Sequence, residues 1–211
     1  MATPRESIDA SLREFLAALS SAESAHGAVS ASAVAGGLGT SLLLMVATLP
    51  KTRSDSATDR TALISASTAL TDVQTQLLET IETETVMKIY GARNMPSGSA
   101  TQRTERDAAI QLALRAAADV PLEVIRLCAI GLEHGRTVAE HCARAAAAEV
   151  ELGITLLRAG LSGARSNLEV RLGSLTDVVY TTTIVEDIAR LSEEAGMAAN
   201  AAEAAVRVPP A

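Results

Sequence analysis

The segment from residue 25 to residue 50 contains no Asp, Glu, Lys or Arg, and no other feature constrains the fold as strongly. A charge-free stretch of this length belongs either in a protein interior or across a membrane. Serines, threonines and four glycines dilute its apolar side chains, and few basic residues flank it. We therefore predict a buried central helix over about residues 29–48, ended by Pro50, with a membrane span as the alternative. Its small side chains would let other helices pack closely against it.

The composition predicts an all-α protein. Aromatic residues make up 1% of the chain and Trp is absent, whereas strands depend on aromatic and β-branched side chains. Alanine, the strongest helix former, recurs throughout the sequence. Apolar residues also recur at helical spacing, in stretches around residues 8–19, 63–81, 124–132, 150–161 and 184–195. Since the 211 residues show no repeat and no linker, we predict one helical bundle that forms a single domain, 1–211.

Two signals set boundaries between the later helices. Residues 95–99 contain Pro96 and Gly98 and are the clearest helix breaker in the chain. Pro121 suits the first turn of a helix. We therefore predict that one helix ends at Asp119 and that another begins near Pro121 and extends towards His141.

Cysteines, histidines and charge narrow the classes of function. Cys128 and Cys142 are fourteen positions apart on a predicted helix, roughly 21 Å, which excludes a disulfide between them. We interpret them as ordinary buried thiols, which fits a reducing, cytoplasmic compartment. We interpret His134 and His141 as solvated side chains and predict no metal site. The net charge of −7 argues against nucleic acid as a partner, although local cations can still bind a small anion.

Four stretches of the chain resemble, in order, the sequence signature of a known family. Residues 11–46 resemble a short E-F-L-x-x-L helix, a Gly-rich loop and an Ala/Gly-rich helix ending in Met-Val. Residues 81–96 resemble a D-A-x-A-F…L-P stretch, residues 108–128 an A-x-x-V-P-L junction, and residues 160–172 a G-A-x-x-N-V-x-x-N-L segment. By this colinear set the chain resembles the formiminotetrahydrofolate cyclodeaminase / methenyltetrahydrofolate cyclohydrolase family.

The resemblance implies an all-α fold, a homodimer and a folate substrate, with no metal or redox cofactor. Members release ammonia from 5-formiminotetrahydrofolate, giving 5,10-methenyltetrahydrofolate, or hydrolyse the methenyl compound to 10-formyltetrahydrofolate. We expect the dimer interface to lie on the small-residue central helix, because small side chains favour close helix packing.

The resemblance also implies a proton-transfer group and a ligand-holding loop. The family's acidic residue falls on Glu82, whose carboxylate would activate water or protonate the departing nitrogen. Without the resemblance, Glu82 is better interpreted as a polar position of a long helix. The Gly-rich loop falls on residues 27–30, where Gly27 and Ser30 match and residues 28–29 depart from the pattern.

Five further residues are implied to contact the substrate. A second acidic position falls on Glu149, and Asn167 can offer a pterin both a donor and an acceptor. Arg171 replaces a second asparagine of the family pattern. Folates carry glutamate carboxylates, so the site needs a cation, for which Lys51 and Arg53 are candidates. A solvated loop is the alternative interpretation of these two cations.

Three hypotheses follow from the sequence. The first is a working folate enzyme in which Glu82 acts as acid and base. The second is a divergent relative that keeps the dimeric bundle but binds another small molecule or a protein, because fold does not imply function. The third is a membrane-associated helical protein built around residues 25–49.

Overall fold

The computed structural model describes residues 12–21, 27–81, 89 and 91–207. None of these residues forms a β-strand, which confirms the all-α prediction. The helices are α1 (Leu12–Leu19), α2 (Ala28–Ala47), α3 (Ala57–Ile81), α4 (Ala100–His141), α5 (Ala147–Leu172) and α6 (Val178–Arg207), with a 3₁₀ turn, Arg144–Ala146, before α5.

Helix α2 forms the axis of the bundle, as the charge-free segment predicts. It packs against α3, α4 and α5 and buries side chains such as Leu43 and Val46. Among the described helices α2 alone is long and apolar enough to cross a membrane, with a mean hydropathy of 1.7. Its packing against three helices accounts for this composition, as expected of a core helix.

Glycines bring α5 very close to α2. A Cβ atom added to Gly39 of α2 would lie 2.6 Å from the carbonyl oxygen of Gly153 in α5. Further along, Gly160 of α5 lies beside Ser32 and Gly36 of α2, so the two helices are antiparallel. The small residues of α2 are therefore required by the backbone-to-backbone approach of α5.

Helix α3 is also antiparallel to α2. The side-chain amide of Gln74 donates a hydrogen bond to the hydroxyl oxygen of Ser41 at 2.6 Å, and Leu77 lies beside Gly36. As a result, the end of α3 at Ile81 lies level with the beginning of α2.

Helix α4 is continuous through Pro121, so the predicted boundary at this proline is wrong. A proline inside a helix lacks the N–H that would bond the carbonyl four residues earlier, here that of Ala117. The guanidinium Nη1 of Arg171 donates to this carbonyl at 3.0 Å. Proline is thus tolerated because a side chain of α5 replaces the missing donor.

The beginning of α4 and the two cysteines agree with the sequence predictions. Ser99, the last residue of the predicted breaker, caps the helix in a reciprocal arrangement with Gln102. Cys128 and Cys142 are free and buried, as predicted. Burial raises the pKa of the Cys128 thiol to about 12, so this group remains protonated and unreactive.

Candidate functional site

The residues that the resemblance implies fall into two groups at opposite ends of α2. The first group, here called the Ser30 end, comprises Gly27, Ser30, Asn167 and Arg171. The second group, here called the Lys51 end, comprises Lys51, Arg53 and Glu149. Helix α2 has 20 residues, so about 30 Å separates the two ends within one chain.

The Ser30 end is formed where α2 begins and α5 approaches its end. Gly27 precedes the first turn of α2 in an extended conformation, and Ser30 is buried in that turn. A Cβ atom on Gly163 would lie 2.5 Å from the hydroxyl oxygen of Ser32. Asn167 follows Gly163 by about one turn, so the antiparallel register places it level with the first residues of α2.

The predicted proton-transfer residue, Glu82, lies outside the residues that the structure describes. The residue before it in the sequence, Ile81, is the last of α3 and is level with the beginning of α2. The chain therefore leaves α3 at the same end of α2 as the residues of the Ser30 end.

Two polar side chains at the Ser30 end are bonded to the protein itself. Arg171 donates through Nε to the side-chain oxygen of Asn167 at 2.6 Å and through Nη1 to the carbonyl of Ala117. The Arg171 side chain is half-buried, and burial lowers its pKa. These contacts serve the packing of α5 against the proline-containing part of α4.

A cavity of about 390 Å³ opens at the Lys51 end, between the end of α2 and the beginning of α5. Its volume lies within the range of roughly 300–1,000 Å³ that is common for small-molecule sites. Most of its surface is apolar, and it is lined by Met45, Leu49, Pro50, Lys51, Ala143, Ala145, Ala146 and Glu149.

The two charged residues of this cavity have unused bonding capacity. Oxygen Oε2 of Glu149 is buried and has no hydrogen-bond partner in the described structure. Lys51 is exposed at the rim. Glu149 lies in the first turn of α5, where a carboxylate is also favourable for the helix dipole. The dipole does not satisfy Oε2, however, and a buried unpaired oxygen is costly.

Arg53, the other predicted cation, ties the loop that follows α2 to helices α4 and α6. Its guanidinium donates to the carbonyl oxygens of Ala139 at 2.6 Å and Ala205 at 3.0 Å, and its backbone N–H donates to that of His141. The Arg60 guanidinium donates to the carbonyl oxygens of Leu49 and Pro50, two residues of the apolar cavity lining. Of the two predicted cations, Lys51 is therefore the one whose charged group is available to a ligand.

An Asp–His pair that the sequence did not reveal fixes the same loop. Asp59 is buried; its carboxylate lies 2.9 Å from Nδ1 of His141 and accepts from the backbone and hydroxyl of Ser54. These hydrogen bonds, that of His141 first, hold the pKa of the Asp59 carboxyl well below its usual range. The interpretation of His141 as a solvated side chain is wrong, because its ring is partly buried and lies against the Asp59 carboxylate. The sequence did not show this pair because the two residues are 82 positions apart.

The described residues contain no group of three or more His, Cys, Asp and Glu side chains that could hold a metal ion. What they offer instead is an apolar cavity, an exposed ammonium group and a carboxylate oxygen that needs a donor. Such a set suits an organic anion that also carries N–H groups.

The geometry thus defines an all-α bundle around a small-residue axis, with polar groups placed at its two ends. The family model described as Formiminotransferase-cyclodeaminase matches residues 11–190, and the chain belongs to this family. A methenyltetrahydrofolate cyclohydrolase from Methylorubrum extorquens is 27% identical over 188 residues, which cover 88% of this chain and 90% of that protein.

The fold is also that of a solved relative. The crystal structure of formiminotetrahydrofolate cyclodeaminase from Thermotoga maritima matches with a TM-score of 0.84 at 18% sequence identity. The match covers 95% of this chain and 97% of that chain. The helical bundle described above is therefore the fold of this family.

Proposed function

We propose that the chain is a folate one-carbon enzyme, a methenyltetrahydrofolate cyclohydrolase or a formiminotetrahydrofolate cyclodeaminase. The observation that carries this proposal is the family match over residues 11–190, which includes both ends of α2. The cyclohydrolase relative, colinear over 88% of the chain, supports the same substrate class.

The proposed chemistry needs one group that moves protons. In the cyclohydrolase reaction, water adds to the methenyl carbon, the bond from that carbon to N5 breaks, and a proton is released with 10-formyltetrahydrofolate. In the cyclodeaminase reaction, N10 attacks the formimino carbon, the departing nitrogen receives the N10 proton and one further proton, and the bond from the carbon to that nitrogen breaks to release ammonia. Glu82 is the proposed acid and base in either reaction, with Ser30 and Gly27 holding the ligand.

We further propose that the enzyme is a cytoplasmic homodimer that needs no metal or redox cofactor. Two free, buried cysteines fit a reducing compartment. Both reactions transfer protons and make or break a carbon–nitrogen bond, with no oxidation or reduction. A carboxylate and ordered water are therefore enough to supply the chemistry.

The test is turnover of both substrates by the purified chain. Hydrolysis of 5,10-methenyltetrahydrofolate is followed by absorbance, and ammonia release from 5-formiminotetrahydrofolate is measured separately. We expect acceleration of one reaction that is lost in Glu82→Gln and kept in Glu79→Gln, since Glu79 is an exposed carboxylate of α3. Turnover of neither substrate would reject the proposal in favour of a divergent relative that binds another partner.

A further inference from the structure

Lys51 lies in a loop whose backbone is bonded to the rest of the protein on both sides of this residue. Before it, the Arg60 guanidinium of α3 donates to the carbonyl oxygen of Pro50. After it, the backbone N–H of Arg53 donates to the carbonyl oxygen of His141 at 2.8 Å. The backbone of Lys51 is therefore held at one position on the rim of the cavity, while its side chain is exposed.

The Asp59 carboxylate holds the same loop from the side of α3. Its Oδ2 accepts from the backbone N–H of Ser54 at 2.7 Å and from the Ser54 hydroxyl at 2.8 Å. Its Oδ1 lies 2.9 Å from Nδ1 of His141. Because an ionised carboxylate can only accept, Nδ1 of His141 carries the proton of this bond. His141 thus orients the carboxylate so that its other oxygen faces Ser54.

The loop also contains a strained backbone conformation. Asp55 has a φ of 52°, and it is the one non-glycine residue of the described chain with a positive φ. Aspartate tolerates this region better than most residues, but the conformation costs free energy unless the surroundings hold it. Asp59 supplies such bonds on both sides, to Ser54 through its carboxylate and to the Ser56 hydroxyl through its backbone N–H. Strain held in this way is typical of segments that position a ligand-binding group.

A buried charge is a weak means of stabilising a helix junction. Asp59 is 7% exposed, and apolar side chains of similar volume often stabilise a fold equally well. What the carboxylate adds is direction, because it fixes the backbone N–H of Ser54 at one point. The Arg53 guanidinium differs, since it bonds carbonyl oxygens of α4 and α6 and so links helices without orienting the loop backbone.

We propose that Asp59, oriented by His141, is a positioning residue that holds Lys51 at the mouth of the Lys51-end cavity. Through the loop backbone it sets where the ammonium group meets a carboxylate of the ligand. The identity of this ligand, a folate, rests on the proposed function, whereas the fixing of the loop by Asp59 does not.

Amide hydrogen exchange tests the fixing of the loop without any substrate. Asp59→Ala removes the acceptor of Ser54, so the amides of Ser54 and Arg53 should exchange at least about tenfold faster. The amide of Leu43, in the core of α2, is the reference, because its exchange reports opening of the whole bundle. Equal acceleration at all three amides would show that Asp59 stabilises the whole chain and does not position the loop.

Kinetic constants then separate positioning from a loss of stability. Partial unfolding lowers the apparent kcat through the folded fraction, but it leaves the KM of the folded molecules unchanged. We expect Asp59→Ala to raise KM for the folate substrate about fivefold with kcat nearly unchanged. Asp72→Ala, at an exposed carboxylate of α3, is the control and should alter neither constant. A fall in kcat at constant KM would overturn the inference.

The conservative variant provides a rescue. Asp59→Asn loses the charge but keeps one oxygen that can accept from the backbone N–H of Ser54. Its KM should therefore lie within about twofold of the wild-type value, although its stability falls. A KM as high as that of Asp59→Ala would show that the bond to Ser54 does not set the position of the loop.

A double variant tests whether the effect of Asp59 passes through Lys51. Once Lys51→Met has removed the ammonium group, its position no longer matters, so adding Asp59→Ala should change KM by less than about twofold. The same fivefold rise in both backgrounds would overturn the inference. Absence of folate turnover by the wild type would contradict the proposed function, and exchange at Ser54 would still decide whether Asp59 fixes the loop.

Discussion

The two ends of α2 carry similar kinds of polar residue but use them differently. At the Ser30 end, Asn167 and Arg171 bond to each other, and Arg171 also replaces the donor that Pro121 removes from α4. At the Lys51 end, Arg53 is bonded to backbone carbonyls, while Lys51 and Glu149 retain unused capacity beside a cavity.

This difference separates polar groups that stabilise the fold from polar groups that are free to bind a ligand. A side chain whose terminal donors are bonded inside the chain contributes to stability, and its loss should lower the free energy of unfolding. A side chain with an unused donor or acceptor at a cavity should affect ligand affinity instead. The following experiments test this separation in order of decreasing expected effect on stability.

The largest loss of stability should come from a change at the close contact between α2 and α5. Gly39→Ala would place a Cβ 2.6 Å from the backbone oxygen of Gly153, which cannot move without displacing α5. We expect the free energy of unfolding in urea to fall by about 3 kcal/mol. The control is Gly196→Ala in α6, whose added Cβ meets nothing within 4 Å and which should stabilise the chain by about 0.5–1 kcal/mol. Equal effects would show that α2 and α5 are not in close contact.

The next effect concerns the loop at the Lys51 end and depends on pH. The lowered pKa of Asp59 stabilises the folded chain only while the carboxylate is ionised. The contribution is therefore complete above about pH 5 and is lost as the pH falls below about 4, towards the folded-state pKa.

We expect wild-type stability to exceed that of Asp59→Asn by about 2 kcal/mol near neutral pH, with the difference shrinking as the pH falls to about 2. Urea unfolding at a series of pH values measures it. Parallel curves for the two proteins at all pH values would show that the Asp59–His141 contact contributes no pH-dependent stability.

A smaller effect is expected from Arg171 at the Ser30 end. Arg171→Met keeps much of the side-chain volume but leaves the carbonyl of Ala117 without its donor. Stability should fall by about 1–2 kcal/mol, with KM for the folate substrate unchanged. A large rise in KM at unchanged stability would place Arg171 in contact with substrate and remove the distinction between the two ends.

The sequence predicted the axis of the fold well because burial leaves a strong signature. The charge-free segment predicted a helix over about residues 29–48, and α2 spans Ala28–Ala47. The boundary at Pro121 was predicted wrongly, since the compensating donor, Arg171, lies 50 positions later in the chain. Local propensity cannot report a tertiary hydrogen bond of this kind.

The candidate site was only partly predictable, for a related reason. The resemblance names residues one by one, but their separation into two ends follows from the antiparallel register of α2, α3 and α5. Lys51 and Arg53 are two positions apart and have the same charge, yet only the structure shows that the Arg53 guanidinium is bonded to Ala139 and Ala205. The Asp59–His141 pair has no sequence signature, because its members come from different helices.

The most direct measurement compares Lys51→Met with Arg53→Met in the folate assay and in urea unfolding. We predict that Lys51→Met raises KM about tenfold, equivalent to about 1.4 kcal/mol of binding, and changes stability by less than about 0.5 kcal/mol. Arg53→Met should lower stability by about 2 kcal/mol and leave KM unchanged, since its two terminal guanidinium nitrogens donate to backbone carbonyls. If Lys51→Met left KM unchanged, or Arg53→Met raised KM without loss of stability, the assignment of the Lys51 end to the folate site would be contradicted.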